Sequence, residues 1–175
     1  MRNTAFLVVG LLLLVVQANL FRVLDHLPLH GATPSLVLPI IVFMGVHEYS
    51  MARGAALACV LGYAVDLLAG APIGMFAFVS VVIFTMARAA GVRLVAQTML
   101  TQVALAFAFA LVEGVTVLAL LAVFGRDPLG PRALVSSLVP HALATAVVAP
   151  FVFRLAERLH QATSTAPRSD VGGVR

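Results

Sequence analysis

Gly54-Ala55-Ala56-Leu57-Ala58-Cys59-Val60-Leu61-Gly62-Tyr63-Ala64-Val65-Asp66-Leu67-Leu68-Ala69-Gly70-Ala71-Pro72-Ile73-Gly74 is the stretch from which the architecture is read. Residues 54–68 are apolar apart from one carboxylate, Asp66, and Gly70-Ala71-Pro72 breaks the run before a second one begins at Ile73. Gly70 suits a left-handed helix C-cap. Two apolar helices joined by a tight break form a hairpin. A carboxylate at the centre of a membrane helix costs about 2.5–3.5 kcal/mol, and less near an interface, where the Gly70 break puts Asp66. Ala55, Cys59, Gly62, Asp66 and Gly70 recur at 4-3-4-4 spacing. That pattern predicts a small-residue stripe on which another helix packs closely. On this reading Asp66 lies between helices. It either bonds the backbone N–H groups of the Gly70–Gly74 turn, serves an ion, proton or substrate, or meets a partner.

Similar apolar runs fill the rest of the chain. They predict six helices at about residues 4–21, 34–47, 54–69, 73–88, 94–124 and 133–155 in a single membrane domain, residues 1–156. The polar segment 157–175 reads as a disordered cytoplasmic tail. The first run could be read as a signal peptide, but five further runs make a retained helix the more natural assignment. The second run is short for a span; Pro34 suits its start, and Pro39 inside it predicts a kink. The fifth run exceeds one span, which predicts tilt or protrusion. No internal repeat stands out.

Composition agrees. The 175 residues are 62% hydrophobic and 10% charged, with a mean hydropathy of +1.08, against roughly 25% charged residues in an ordinary soluble domain. A soluble enzyme, a nucleic-acid-binding domain and a disordered regulator are excluded. The net charge of +4 comes from 11 basic residues, all Arg and scattered, so it reads as topology and lipid affinity rather than nucleic-acid binding. With six spans, Arg2, Arg53, Arg88, Arg93, Arg154, Arg158, Arg168 and Arg175 share one side, against Arg22, Arg126 and Arg132 on the other. That asymmetry puts both termini in the cytoplasm. Cys59 has no internal disulfide partner and reads as a small buried hydrophobe.

Other polar residues sit inside the apolar runs. Gln102, Ala106, Ala110 and Glu113 share a face of the fifth by 4-4-3 spacing. Glu113 reads as an internally paired carboxyl or a contact for a partner helix. His141 follows Pro140, whose missing N–H frees a carbonyl for it to bond. Gln17 and Asn19 read as interfacial or interhelical polar groups. Catalytic patterns are thin. One intramembrane Asp is not an aspartyl dyad. Ser80, Ser136 and Ser137 lack a nucleophile elbow, although Ser137 and His141 have helical spacing. His47-Glu48 lacks the second His of a zinc motif. No enzyme activity, cofactor or metal is expected.

The segment through Pro34-Ser35-Leu36, Arg53-Gly54-Ala55 and Gly62 to Gly74, and above all Asp66-Leu67-Leu68-Ala69-Gly70-Ala71-Pro72-Ile73-Gly74, resembles the MreD family of rod shape-determining membrane proteins. That family has an Asp-Leu-x-x-Gly-x-x-x-Gly helix-turn-helix after a proline-led second helix. A basic loop after the fourth helix, an acidic residue in the fifth and a proline-containing sixth continue the likeness. The resemblance implies an all-α, six-transmembrane-helix bundle similar to the S component of energy-coupling-factor transporters, in the bacterial cytoplasmic (inner) membrane. It implies a non-enzymatic scaffold subunit of the cell-elongation complex that binds MreC, alongside RodA, a class B penicillin-binding protein and MreB, and supports peptidoglycan synthesis and cell shape. Gly62, Asp66, Gly70, Pro72, Gly74, Gln102, Ala106, Ala110, Glu113 and His141 are the candidate packing or partner-contact residues. The competing expectation is a substrate-binding subunit of a vitamin-type transporter.

Overall fold

A computed structural model describes residues 2–24, 33–47, 50–69, 72–91, 99–124 and 131–164, and all of its regular structure is helical. The helices are α1 (Arg2–Leu24), α2 (Val37–His47), α3 (Met51–Ala69), α4 (Met75–Gly91), α5 (Met99–Phe124) and α6 (Pro131–Ser164). They form one bundle. Among the described residues, three apolar stretches are long enough to cross a membrane: Met51–Ala69, Met99–Phe124 and Ser137–Thr163. The outer faces are apolar too, with Leu12, Leu67, Phe78, Leu100, Val123 and Phe151 all exposed. Water-soluble monomers rarely expose large contiguous apolar patches, so length and surface together point to a membrane protein.

The core is built around α2, which touches all five other helices. Every residue from Val37 to Gly45 is buried. Eleven residues rise only about 16 Å, against roughly 30 Å of hydrocarbon. A helix this short leaves its first N–H groups deep in the bundle, and neighbouring side chains satisfy them. Ser35 N–H donates to Thr145 Oγ1 of α6 (3.0 Å). Leu36 N–H donates to Gln17 Oε1 of α1 (2.8 Å), and Leu38 N–H to Ser35 Oγ (3.4 Å). Three backbone N–H groups at the head of α2 are thus met inside the protein, as an apolar surround requires. At the other end, the Phe43 ring stacks on His47 (centroids 4.1 Å apart) and meets His160 edge-on.

Several sequence expectations are corrected. α2 begins at Val37 rather than residue 34. Pro39 is therefore its third residue, in the first turn, where no intrahelical N–H bond exists to lose, so the expected kink has no cause. α3 starts at Met51 rather than residue 54. α5 has 26 residues; residues 94–98 of the longer expected run lie outside the described residues. α6 continues through Pro140 and Pro150 to Ser164, so residues 157–164 are helical rather than disordered tail; 165–175 lie outside the described residues.

The pairs α3–α4 and α5–α6 pack most extensively. Glycines set the closest approaches. A Cβ on Gly62 would meet the Phe76 carbonyl oxygen at 2.4 Å and the Ala77 Cα at 2.7 Å. One on Gly45 would meet Ala87 Cβ at 2.7 Å and the Phe84 carbonyl oxygen at 2.9 Å. α4 thus lies against α3 on one side and α2 on the other at distances only a missing side chain permits.

Candidate functional site

Two polar constellations occupy the bundle, and Asp66 makes the first. Its side chain is 1% exposed. Oδ2 accepts from the N–H groups of Gly74 (2.9 Å) and Ala77 (3.3 Å), and Oδ1 from Phe76 (2.8 Å). The N-terminal N–H groups of a helix lack intrahelical partners. Here a carboxylate from the preceding helix caps them and places negative charge at the positive end of α4's dipole. The turn completes the arrangement: Met75 N–H bonds the Pro72 carbonyl (3.1 Å) and Phe78 N–H that of Gly74 (3.0 Å). Gly74 has φ +95, a conformation that side-chain-bearing residues rarely adopt. The Asp66 carboxylate thus reaches Gly74 of the expected turn and goes one turn further, into α4. Pro72 is exposed, and Gly70 lies outside the described residues.

The small-residue stripe is rotated from its expected position. Gly62 and Asp66 are buried and Ala55 is half-buried, but Cys59 is exposed. The buried line runs through Gly54, Ala58, Leu61 and Gly62. Its centre is nearer Ala58 than Cys59, so the reading of Cys59 as a buried hydrophobe fails. Gly54 takes the role instead, leaving room for the Phe84 ring.

The second constellation joins α5, α6 and the segment entering α2. His141 Nδ1 lies 2.6 Å from the Thr33 carbonyl oxygen, not on the carbonyl freed by Pro140. A carbonyl only accepts, so Nδ1 carries the proton. His141 Nε2 lies 3.8 Å from Glu113 Oε2. That is too long for a hydrogen bond, and Glu113 Oε2 is buried with no hydrogen-bond partner. The expected internal pairing of Glu113 is thus present at ion-pair distance, with His141 as the partner, but not as a hydrogen bond. Ala106 and Ala110, on the same face of α5, are fully buried, and Gln102 is half-buried.

Glu113 and His141 line one cavity of about 580 Å³, together with Gln17, Ser35 and Ser80. Asp66 is not among its lining residues. Of the three intramembrane polar residues read from the sequence, two converge and the third stands apart as a helix cap. Compared with protein-family models, curated proteins and solved structures, the chain matches none. Function therefore has to be argued from these two constellations.

Sequence reasoning passed over Thr145, whose hydroxyl accepts from Ser35 N–H at the head of α2, and Ser35, whose hydroxyl accepts from Leu38 N–H. Thr145 follows His141 by one helical turn, so their shared face was available as a signal. Gln17 acts as interhelical glue, whereas Asn19 bonds its own helix at the Val15 carbonyl (2.9 Å). Among the described residues, no group of three or more His, Cys, Asp and Glu side chains is placed to hold a metal ion.

Proposed function

We propose that the chain is a scaffold subunit of the bacterial cell-elongation complex, similar to MreD, which binds MreC and supports peptidoglycan synthesis and cell shape. One observation carries the reading. The residues of the Asp-Leu-x-x-Gly-x-x-x-Gly segment have physical work to do in the α3–α4 hairpin: Asp66 caps α4 through three N–H groups, and Gly74 holds a positive φ. A motif that builds a rigid hairpin suits a protein whose role is to present helix faces. α5 and α6 supply such faces, with Leu100, Val115, Val147 and Phe151 exposed along them. Among membrane helices, recognition rests on close packing and occasional polar contacts, since burial against lipid tails gives little driving force.

In this reading the protein sits in the cytoplasmic membrane as a six-helix, multi-pass subunit with both termini in the cytoplasm, in the company of RodA, a class B penicillin-binding protein and MreB. The Arg distribution supports that orientation. The cavity favours a second reading, a substrate-binding subunit of a vitamin-type transporter. Co-purification separates the two. The chain carrying a C-terminal tag is solubilised from native membranes in mild detergent after cross-linking, and its partners are identified by mass spectrometry. Recovery of MreC with RodA or the penicillin-binding protein is expected. Recovery of a pair of transporter ATPases in their place overturns the scaffold reading.

A further inference from the structure

The cavity lies toward one end of the bundle. Its lining comes from the later part of α1, the head of α2, the end of α3, the start of α4, the second half of α5 and the first turns of α6. A molecule could therefore enter between helix ends. The volume of about 580 Å³ falls in the range typical of small-molecule sites, which are mostly apolar with a few placed polar groups. Leu14, Leu38, Ile41, Val117 and Leu138 supply the apolar wall.

We propose that this cavity binds a compact apolar molecule bearing one ammonium group, held between Glu113 and His141. The chemistry follows from the lining. Among the described residues that line the cavity there is no Arg, and Glu113 is the one acidic residue. An anion would meet that carboxylate with no Arg to offset it. With Nδ1 committed to the Thr33 carbonyl, Nε2 is an acceptor whenever the ring is neutral. It then stands as an acceptor 3.8 Å from Glu113 Oε2, which has no hydrogen-bond partner of its own. A single nitrogen about 2.8 Å from each would bridge them with charge-assisted hydrogen bonds. Oε2 is sealed from solvent, so the carboxyl turns slightly to meet the donor, and the ligand supplies the partner that this oxygen lacks.

The probe is tryptamine, an indole body with one ammonium group. The chain contains no Trp, so indole fluorescence reports the probe alone. The full chain in detergent micelles is titrated against empty micelles, with fluorescence anisotropy as readout. Saturable tryptamine binding is expected, with no saturable binding of indole-3-propionate, which carries a carboxylate instead. Glu113→Gln keeps the side-chain shape and weakens tryptamine binding at least about tenfold. Val117→Phe fills the cavity and abolishes binding while the helical circular dichroism is unchanged. Displacement by phenethylamine added from water marks a water-borne ligand, and displacement by oleylamine carried in the micelle marks a lipid. Displacement by neither overturns the site. So does the absence of a saturable signal, equal binding of the anion, or unchanged affinity in Glu113→Gln. The assignment is independent of the scaffold reading, because tryptamine binding and partner recovery are separate measurements.

Discussion

Removing the Asp66 carboxylate should be the most damaging single change in the α3–α4 hairpin. Asp66→Ala leaves the N–H groups of Gly74, Phe76 and Ala77 without their acceptor. Each buried donor left unpaired costs about 1–3 kcal/mol, which sets an upper bound near 9 kcal/mol for three. The loss is smaller in practice, because Phe76 borders the cavity and water can reach the start of α4 once the side chain is gone. Loss of a single N-cap typically costs about 0.5–2 kcal/mol. An expected destabilisation of about 3–5 kcal/mol lies between these bounds. Asp66→Asn keeps the shape and one acceptor oxygen but turns an amide toward N–H donors and forfeits the charge–dipole interaction, about 0.3–2 kcal/mol. It should fall between wild type and Asp66→Ala. Unfolding is followed in mixed micelles by titration with sodium dodecyl sulfate. Circular dichroism is the readout, since the chain lacks Trp. If Asp66→Ala unfolds within about 0.5 kcal/mol of wild type, or is more stable than Asp66→Asn, the cap is not what holds α4 to α3.

Three further predictions test the packing and the surroundings. Gly62→Ala should destabilise by about 1–3 kcal/mol, because its Cβ would strike α4 backbone. Gly10→Ala should cost less than Gly62→Ala, because the nearest atoms its Cβ would meet all belong to the Leu61 side chain, which can shift where backbone cannot; equal losses in the same unfolding titration would show that backbone contact is not the deciding factor. Gly74→Ala should cost about 1–2 kcal/mol from backbone strain alone, since no atom lies within 4 Å of the added Cβ, and a neutral result would mean that the turn relaxes. Cys59 is exposed on α3, so in intact membranes it should resist a water-soluble maleimide, yet react fully once the chain is denatured. Rapid labelling in membranes would place that face of α3 in water.

Much of the fold was legible because apolar runs and Gly-Pro breaks mark where helices must begin and end. The breaks limit a helix without fixing its first residue. Pro34 and Pro39 both suit a start, and α2 takes the later one, with Pro39 inside its first turn. Spacing also fixes which residues share a face but not which way the face turns. Hence Gly62 and Asp66 were placed in the packed interface correctly, while Cys59, on the same inferred stripe, faces outward. The Asp66 cap was legible because an Asp beside a Gly-Pro turn has nearby N–H groups to bond. The approach of Glu113 to His141 was not, because it depends on how α5 and α6 pair, and nothing within either helix encodes that register by itself. The bonds around the head of α2 were hidden for the same reason: Thr145 and Gln17 reach it from other helices.

The proposed scaffold role rests on direct binding of this bundle to MreC. The most direct test mixes the purified chain with purified full-length MreC in mild detergent and measures complex formation by size-exclusion chromatography with light scattering. A stable complex that is retained at high salt and lost in Asp66→Ala is expected. Two separately eluting proteins, at concentrations where both remain folded, would contradict the claim.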